Sequence, residues 1–166
     1  MFDFNDAQQR AERRLQRTSS RRRRSDAGRS RLPPAVLGEF RALSLGSERP
    51  PLAAVRRRIS GVCARHGLPM PSRAGLYNAF LRIPGHTYHT RLLPRYVGEA
   101  LYNLAPDGEV EGRQLAFYCF NYGSLAALCF AAGLPWLDLY QAAHLGGWRP
   151  RSYGLLQAAL RARGIR

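Results

Sequence analysis

The sequence predicts an all-α fold, a helical bundle that follows a disordered basic N-terminal arm. From residue 32 onward, apolar residues recur three and four positions apart in one segment after another, which is the spacing of amphipathic helices. Proline stands at the start and glycine at the end of several of these segments, as is common in helices. With 166 residues, the chain is long enough for one compact domain or two small ones with a real core.

Residues 1–31 are predicted to form the flexible arm. They are polar and contain the run Arg21-Arg22-Arg23-Arg24 among several serines. Such a segment cannot bury enough apolar surface to offset the entropy lost on ordering. We therefore expect the arm to contribute charge rather than structure.

The charge of the whole chain predicts a polyanionic partner. Its formal net charge is +15, from 26 basic and 11 acidic residues, and every basic residue is arginine. Arginine offers planar, bidentate donors that suit phosphate groups and guanine edges. Nucleic acid is the partner that such a surplus most often indicates, ahead of an anionic membrane surface.

The first predicted domain spans residues 32–104 and consists of short helices. Val36, Leu37, Phe40 and Leu43 share one face of the first helix, and Gly67 supplies a left-handed stop for the second. Pro71 or Ser72 opens the third, and a bridging helix completes the unit. The predicted helices cover residues 34–43, 52–66, about 72–83 and 91–104.

The third of these helices has two contrasting sides. One is apolar and contains Leu76, Phe80 and Ile83, whereas the other has small, amide and guanidinium groups. A short helix with a core-seeking back and such a front suits the major groove of DNA. The front residues are Ser72, Gly75, Asn78 and Arg82.

The residues around the turn before this helix carry a resemblance to a known family. Ala64-Arg65-His66-Gly67-Leu68-Pro69, followed by Pro71-Ser72 and Leu76-Tyr77, resembles the helix-turn-helix of bacterial transposases and small regulators. The resemblance covers about residues 50–85 and implies that the helix after the turn reads base edges. No acidic catalytic domain follows, so the resemblance does not imply transposase activity.

The second predicted domain, residues 105–166, is an apolar helical unit that begins with a turn-rich, acidic loop at 105–112. No charged residue occurs from Gln114 to Leu137, so a membrane span has to be considered. Asn121-Tyr122-Gly123-Ser124 and Gly133-Leu134-Pro135 interrupt the run, which favours buried helices and makes a membrane partner unlikely. We expect helices at about 113–121, 123–132, 135–145 and 150–163.

An internal match suggests a second helix-turn-helix unit at residues 135–164. Shifting the chain by 79 positions aligns Gly67 with Gly146, Pro71 with Pro150, and Asn78 with Gln157. If the match is a true repeat, the fold contains two such units, which could contact successive faces of the major groove. The alternative is two unrelated amphipathic helices with ordinary caps in a chain rich in Ala, Leu, Arg and Gly.

These observations assign two kinds of DNA contact. Base contacts are predicted from the helix fronts and phosphate contacts from the arm and the exposed arginines. The predicted base contacts are Ser72, Arg73, Asn78, Arg82, Gln157 and Arg161. The predicted phosphate contacts are Arg21, Arg22, Arg23, Arg24, Arg56, Arg57, Arg58, Arg149, Arg151 and Arg163.

A zinc site remains an alternative use of four residues, Cys63, His66, His86 and His89, which form a Cys-x2-His and a His-x2-His pair. The spacing is not a common zinc signature, and the position of His66 at a helix end is also explained by the helix dipole. We therefore predict no metal, no cofactor and no catalytic residues. No phosphate-binding glycine loop or paired acidic motif points to an enzyme.

The sequence thus predicts a sequence-specific double-stranded DNA-binding protein, a small transcriptional or mobile-element regulator. Three free cysteines and the absence of a signal-peptide pattern favour a cytoplasmic, nucleoid-associated location. Two alternatives stay open. One is an antitoxin-like assembly subunit that packs on a protein partner or a second copy through residues 114–137, and the other is an RNA-binding protein that uses the arm.

Overall fold

The computed structural model describes residues 32–165, which are mostly helical and include one two-stranded antiparallel sheet. The predicted arm, with Arg21 to Arg24, and Arg166 lie outside the described residues. The mostly helical character predicted from the sequence is confirmed, whereas the sheet was not predicted. In chain order the elements are α1 (Pro34–Ser44), α2 (Leu52–Arg65), α3 (Arg73–Phe80), β1 (Thr87–His89), α4 (Arg95–Gly98), β2 (Glu109–Glu111), α5 (Gly112–Tyr122), α6 (Leu125–Ala132), α7 (Trp136–Ala142) and α8 (Pro150–Ala162), with 3-10 helices at Thr90–Leu92 and Glu99–Leu101.

The helix ends follow the capping chemistry of the sequence. Ser72 accepts a hydrogen bond from the Gly75 amide at 3.0 Å and so caps the start of α3. Gly67 has a φ of 61°, and the amide that follows it, of Leu68, donates to Cys63 O at 2.8 Å. This is the Schellman arrangement, so the predicted glycine stop after α2 is confirmed.

The predicted bridging helix at 91–104 is wrong as a continuous element. The segment instead contains a 3-10 helix, the four-residue α4 and a second 3-10 helix. Leu93, which precedes Pro94, is extended with a ψ of 148°, because a residue before proline is disfavoured in the helical region. β1 and β2 flank this segment and pair through Tyr88 and Val110 at their centre. The predicted acidic loop therefore contributes β2 and the start of α5.

Helix α7 lies at the centre of the core. Six of its seven residues are buried, and Trp136, Leu137 and Leu139 are at most 1% exposed. The ring of Phe80, from α3, packs edge-on against Trp136 with centroids 5.1 Å apart. One hydrophobic core thus draws on residues from both sides of the predicted boundary at residue 105.

Helices α6 and α7 meet at a bend of 116°. Among residues 32–165, no single helix has the length and apolar character to cross a membrane, although this bent pair would pass on length and composition together.

The two halves of the 79-residue match have different surroundings. Leu76 and Ala79 are buried in α3, but the aligned Leu155 is 41% exposed and the aligned Ala158 is exposed. The buried residues of α8 are Ser152, Leu156 and Leu160. The buried face of α8 is therefore rotated away from the face that the match predicts, so the aligned positions are not structurally equivalent.

Candidate nucleic-acid interface

A buried carboxylate on α7 organises the chain that follows α3. Asp138 is fully buried and accepts hydrogen bonds from the His86 amide at 3.1 Å and the Tyr88 hydroxyl at 3.2 Å. The Nδ1 atom of His86 lies 3.0 Å from Asp138 Oδ2, and its Nε2 atom lies 3.1 Å from Leu45 O. Burial raises the pKa of Asp138, and the hydrogen bonds and charge of His86 oppose that rise. The network joins α7, β1 and the end of α1.

The end of α3 is fixed by a second buried polar group on α7. Gln141 Nε2 donates to Phe80 O at 2.7 Å and to Ile83 O at 2.9 Å. These carbonyls would otherwise have no partner inside the core, so Gln141 satisfies the C-terminal end of α3. Sequence reasoning missed both Asp138 and Gln141. The signal for them was two strongly polar residues within the apolar segment Trp136-Leu137-Asp138-Leu139-Tyr140-Gln141.

The front of α3 is exposed while its back is held in the core. Leu76 and Phe80 are at most 1% exposed, and the Phe40 and Phe80 rings lie 4.5 Å apart. Asn78, a predicted base contact, is on the exposed side, and Arg82, another, is exposed just beyond the end of the helix. Ser72 is exposed as well, but its hydroxyl is engaged in capping the helix.

Two arginines meet a tyrosine at the start of α3. The Arg73 guanidinium lies 5.8 Å from the Tyr77 ring centroid. The pKa of the Tyr77 phenol is lowered, mainly by hydrogen bonding from Arg73. Burial alone would raise this pKa, and the positive charges of Arg73 and Arg49 lower it further. We call these three residues, together with Tyr140 and His144, the Tyr77 cluster.

The other two members of the Tyr77 cluster are on or next to α7. Burial raises the pKa of Tyr140, and the positive charge of Arg49 opposes the rise. The His144 ring packs on Tyr140 with centroids 4.8 Å apart. Within the described part of the chain, neither Arg49 nor Arg73 forms an ion pair with a carboxylate. Arg49, Tyr77, Tyr140 and His144 were not predicted, because only the fold brings them together.

The predicted phosphate contacts on α2 and α8 fall into two groups. Arg56, Arg57 and Arg151 are exposed, and Arg58 is exposed but paired with Glu39. Arg149 and Arg163 instead have structural bonds to the ends of other helices. Arg149 Nη1 donates to Asn121 O at 3.1 Å, with its guanidinium 4.7 Å from the Tyr122 ring, and Arg163 donates to Leu134 O and Ala132 O.

The two base contacts predicted on α8, Gln157 and Arg161, are less available than Asn78 on α3. Arg161 is exposed, but its Nε donates to Gln157 O at 3.2 Å. The Gln157 side chain is only partly exposed. Of the other predicted base contacts, Arg73 and Asn78 lie on α3, Ser72 is its cap, and Arg82 follows its end.

The four residues of the zinc alternative are not gathered into a site. Cys63 is buried and its thiol points to Pro69 O at 3.7 Å, while both nitrogens of His86 have protein partners. His89 Nε2 lies 3.6 Å from Glu109. Among residues 32–165, no three or more His, Cys, Asp or Glu side chains are arranged to hold a metal ion.

Comparisons with protein-family models, with curated proteins and with solved structures find no match to this chain.

Proposed function

We propose that this chain is a double-stranded DNA-binding protein in which α2 and α3 form a helix-turn-helix unit and α3 enters the major groove. The observation that carries the proposal is the contrast between the two sides of α3. Its back is buried against Phe40 and Trp136, whereas Asn78 is exposed on the other side, and Arg73 at the start of α3 and Arg82 just beyond its end are exposed as well. A rigid helix with amide and guanidinium groups on its front can hydrogen-bond base edges without first becoming ordered.

The contacts divide by chemistry. Asn78 is the residue type that pairs bidentately with adenine, and Arg82 the type that pairs with guanine. Arg56, Arg57 and Arg151 are exposed guanidinium groups suited to phosphates, which supply affinity that falls with salt. Ser72 stabilises α3 as its cap, so we assign it no base.

We do not propose that helix α7 contacts bases, although it meets α6 at an angle within the range of helix-turn-helix pairs. Its residues are almost all buried, so its surface cannot reach a groove in this structure. The second reading helix that the internal match suggests is α8, where Gln157 is only partly exposed and Arg161 bonds to Gln157 O. We therefore assign one reading helix, α3.

The proposal is tested by selecting bound sequences from a random duplex library and titrating the preferred duplex against a scrambled one. We expect Asn78→Ala to weaken binding to the preferred duplex by about 1–3 kcal/mol and to leave the scrambled duplex nearly unchanged. Gln114→Ala is the matched control, since Gln114 is an exposed amide on α5. A wild-type protein that enriches no duplex sequence would overturn the proposal.

A second candidate function is self-association, and a specific surface favours it. Leu125 is 77% exposed and Tyr102 is 70% exposed, and the rings of Tyr102 and Tyr122 are 5.7 Å apart. Helix α6 adds the exposed Ala126 and Cys129. We propose a second copy as the partner, because the exposed residues of α6 carry no charge and two strongly basic chains can approach there with less repulsion than elsewhere.

Sedimentation tests this association. We expect Leu125→Asp to convert a dimer to a monomer and to leave the fold intact, whereas the control Leu92→Asp, at a residue that is 80% exposed outside this surface, has no effect on mass. A wild-type protein that is monomeric at high micromolar concentration would exclude this function.

A further inference from the structure

We propose that His86 and Asp138 share one proton at neutral pH, and that loss of this proton opens the contact that joins α1, α7 and the start of β1. This response to pH goes beyond the proposed function. Only its consequence for DNA affinity rests on that function. The fold would thus sense pH at a buried pair that is separate from the exposed side of α3.

The hydrogen-bond partners of His86 determine where its protons lie. Leu45 O can only accept, so the Nε2 atom, 3.1 Å away, carries a hydrogen. The Nδ1 atom is 3.0 Å from Asp138 Oδ2, a distance at which two facing lone pairs would repel each other. A second proton must therefore lie between them, either on Nδ1 of an imidazolium or on a protonated carboxyl. In both cases the pair has no net charge.

Loss of this proton leaves two acceptors facing each other, whichever tautomer His86 adopts. With the hydrogen on Nε2, the bare Nδ1 atom faces the carboxylate, and with the hydrogen on Nδ1, the bare Nε2 atom faces Leu45 O. The pair then also carries a negative charge that nothing balances inside the core. We expect one of the two contacts to break, which separates the start of β1 from the end of α1 or from Asp138 on α7.

The other polar groups on Asp138 cannot take the place of the shared proton. The Tyr88 hydroxyl and the His86 amide already donate to the carboxylate. Burial and then the charge of Asp138 raise the pKa of Tyr88, so this phenol stays protonated and neutral. Among residues 32–165, His86 is the only ion-pair partner of Asp138.

Two glycines close the carboxylate off from the remaining neighbours. A Cβ on Gly112, at the start of α5, would overlap the Asp138 carboxylate, and a Cβ on Gly85 would lie 2.6 Å from its Oδ1 atom. The contact from these two segments is therefore backbone, without a charge. Side chains cannot approach the carboxylate along either path without displacing it.

The arginines beside these glycines are engaged elsewhere. Arg113 is paired with Glu111. Arg82 and Arg113 line a cavity of about 150 Å³ whose wall does not include Asp138. The carboxylate therefore depends on the His86 ring for its charge balance.

Water reaches the pair from one side. The side chain of His86 is 28% exposed, whereas that of Asp138 is 0% exposed. The imidazole can thus exchange its proton with solvent, but solvent cannot stabilise the carboxylate that is left behind. A partly exposed histidine on a fully buried carboxylate is the arrangement that a pH-sensitive contact needs.

Proton linkage gives the direction of the effect. In the unfolded chain, histidine and aspartate titrate separately, at about pH 6.5 and about pH 3.9. Between these values both states hold one proton on the two residues, so this contribution does not change with pH. Above about pH 6.5 the unfolded chain has lost that proton and the folded pair retains it, so the unfolding constant rises by up to about tenfold per pH unit.

Asp138→Asn tests the shared proton, because it keeps the volume of the side chain and needs no proton between the partners. Its Nδ2 can donate to a bare His86 Nδ1 and to the Tyr88 oxygen, and its Oδ1 can accept from the amide of residue 86. Urea unfolding of the full-length chain is measured from about pH 6.5 to about pH 9. We expect the unfolding constant to rise with pH in the wild type and to stay nearly constant in Asp138→Asn.

The control for this comparison is His89→Gln, which removes a histidine of β1 that is 63% exposed and should keep the wild-type pH dependence. Cysteine and tyrosine side chains are common to all three chains, so their titration cancels. Equal pH dependence in the wild type and in Asp138→Asn would overturn the proposal.

Nitrogen-15 NMR of the wild type counts the protons directly and needs no variant that must keep its stability. The ring signals of His86 are identified by their absence in His86→Gln. At about pH 7.5, where an unperturbed histidine is mostly neutral, we expect two hydrogen-bonded protons, one on Nε2 and one between Nδ1 and Asp138 Oδ2. A single proton on this ring, with none shared with Asp138, would contradict the proposal.

Titrations of the selected duplex over the same pH range test the consequence for DNA. We expect the affinity of the wild type to fall by at least about twofold as the pair loses its proton, and that of Asp138→Asn to change less. Identical pH profiles in the two chains would show that the pair does not act on α3. If the wild type binds no duplex at any pH, the proposed function fails, whereas the proton count and the unfolding data still decide the shared proton.

Discussion

Helices α3 and α8 share residue types but differ in how they are held and in what their arginines do. α3 is fixed from behind by Phe80 and by the amide of Gln141. Arg73 on α3 has no carboxylate partner in the described part of the chain, whereas Arg149 and Arg163, at the two ends of α8, bond to carbonyls at the ends of α5 and α6. Guanidinium groups that complete other helices are already occupied. The partners of an arginine, more than its place in a pattern, decide whether it is available to DNA.

The largest expected effect concerns the buried hydrogen-bond network of Asp138 and His86, which fixes the chain that follows α3. In His86→Leu, the buried Asp138 carboxylate loses the imidazole and keeps only the amide of residue 86 and the Tyr88 hydroxyl, and we expect the free energy of unfolding to fall by about 3–5 kcal/mol at neutral pH. Because burial raises the pKa of Asp138 and His86 opposes this, removing His86 raises the folded-state pKa further. The folded variant then holds a proton at a pH where the unfolded chain has lost it, so its deficit shrinks as the pH falls.

Urea titrations at several pH values measure this deficit. His89→Leu is the control, since His89 is 63% exposed and 3.6 Å from Glu109, and we expect a change of less than about 1 kcal/mol. Equal losses for the two variants, or a loss in His86→Leu that does not depend on pH, would contradict the anchor.

The next largest effect distinguishes two glutamine side chains, Gln141 on α7 and Gln157 on α8. Gln141→Leu leaves the carbonyls of Phe80 and Ile83 without a donor inside the core, which we expect to cost about 2–4 kcal/mol. Gln157→Leu on α8 alters a partly exposed side chain and should change stability by at most about 0.5 kcal/mol. Thermal and urea unfolding of both variants provides the measurement. A difference of less than about 1 kcal/mol would mean that α7 does not fix the end of α3.

A smaller effect tests the division of labour among the arginines. Arg149→Gln loses the hydrogen bond to Asn121 O and the contact with the Tyr122 ring, and we expect a loss of about 1–2 kcal/mol in stability. Its salt slope for duplex binding should stay at the wild-type value, because Arg149 is a structural residue. Arg73→Gln should show the opposite, a lower slope with nearly unchanged stability. A lower slope in Arg149→Gln would restore α8 as a DNA contact.

The helices of this fold could be predicted because their signals are local. Proline starts, the Gly67 stop and three-to-four spacing are all properties of neighbouring residues. The paired strands could not be predicted in the same way, since each has only three residues and its partner lies some twenty positions away. The break in the bridging helix followed from Pro94, which was placed inside a helix although it forces Leu93 out of one.

The residues of the candidate site also differ in whether local sequence could predict them. The exposed front of α3 followed from helical periodicity, so Asn78 could be predicted on it, whereas Arg82 lies just beyond the end of the helix, which is shorter than predicted. Arg49 and Tyr140 could not, because their distance from Tyr77 depends on the packing of the α1–α2 loop and α7 against α3. Residue identity left open whether Pro71 or Ser72 opens α3, and the structure shows Ser72 as its cap.

The smallest expected effect compares Gly75 and Gly154, which the internal match aligns. A Cβ at Gly154 would meet nothing within 4 Å, so Gly154→Ala should stabilise the protein by about 0.5–1 kcal/mol through helix propensity alone. A Cβ at Gly75 would lie 3.3 Å from Ser72 Oγ, the cap of α3, so the same gain should be offset there. Differential scanning calorimetry of the two single variants resolves this difference. Equal stabilisation would mean that the cap yields easily, and that the two helix starts are more alike than their surroundings indicate. Unequal stabilisation would support the view that α3 is held in one place, which a helix needs if it is to present Asn78 to a base.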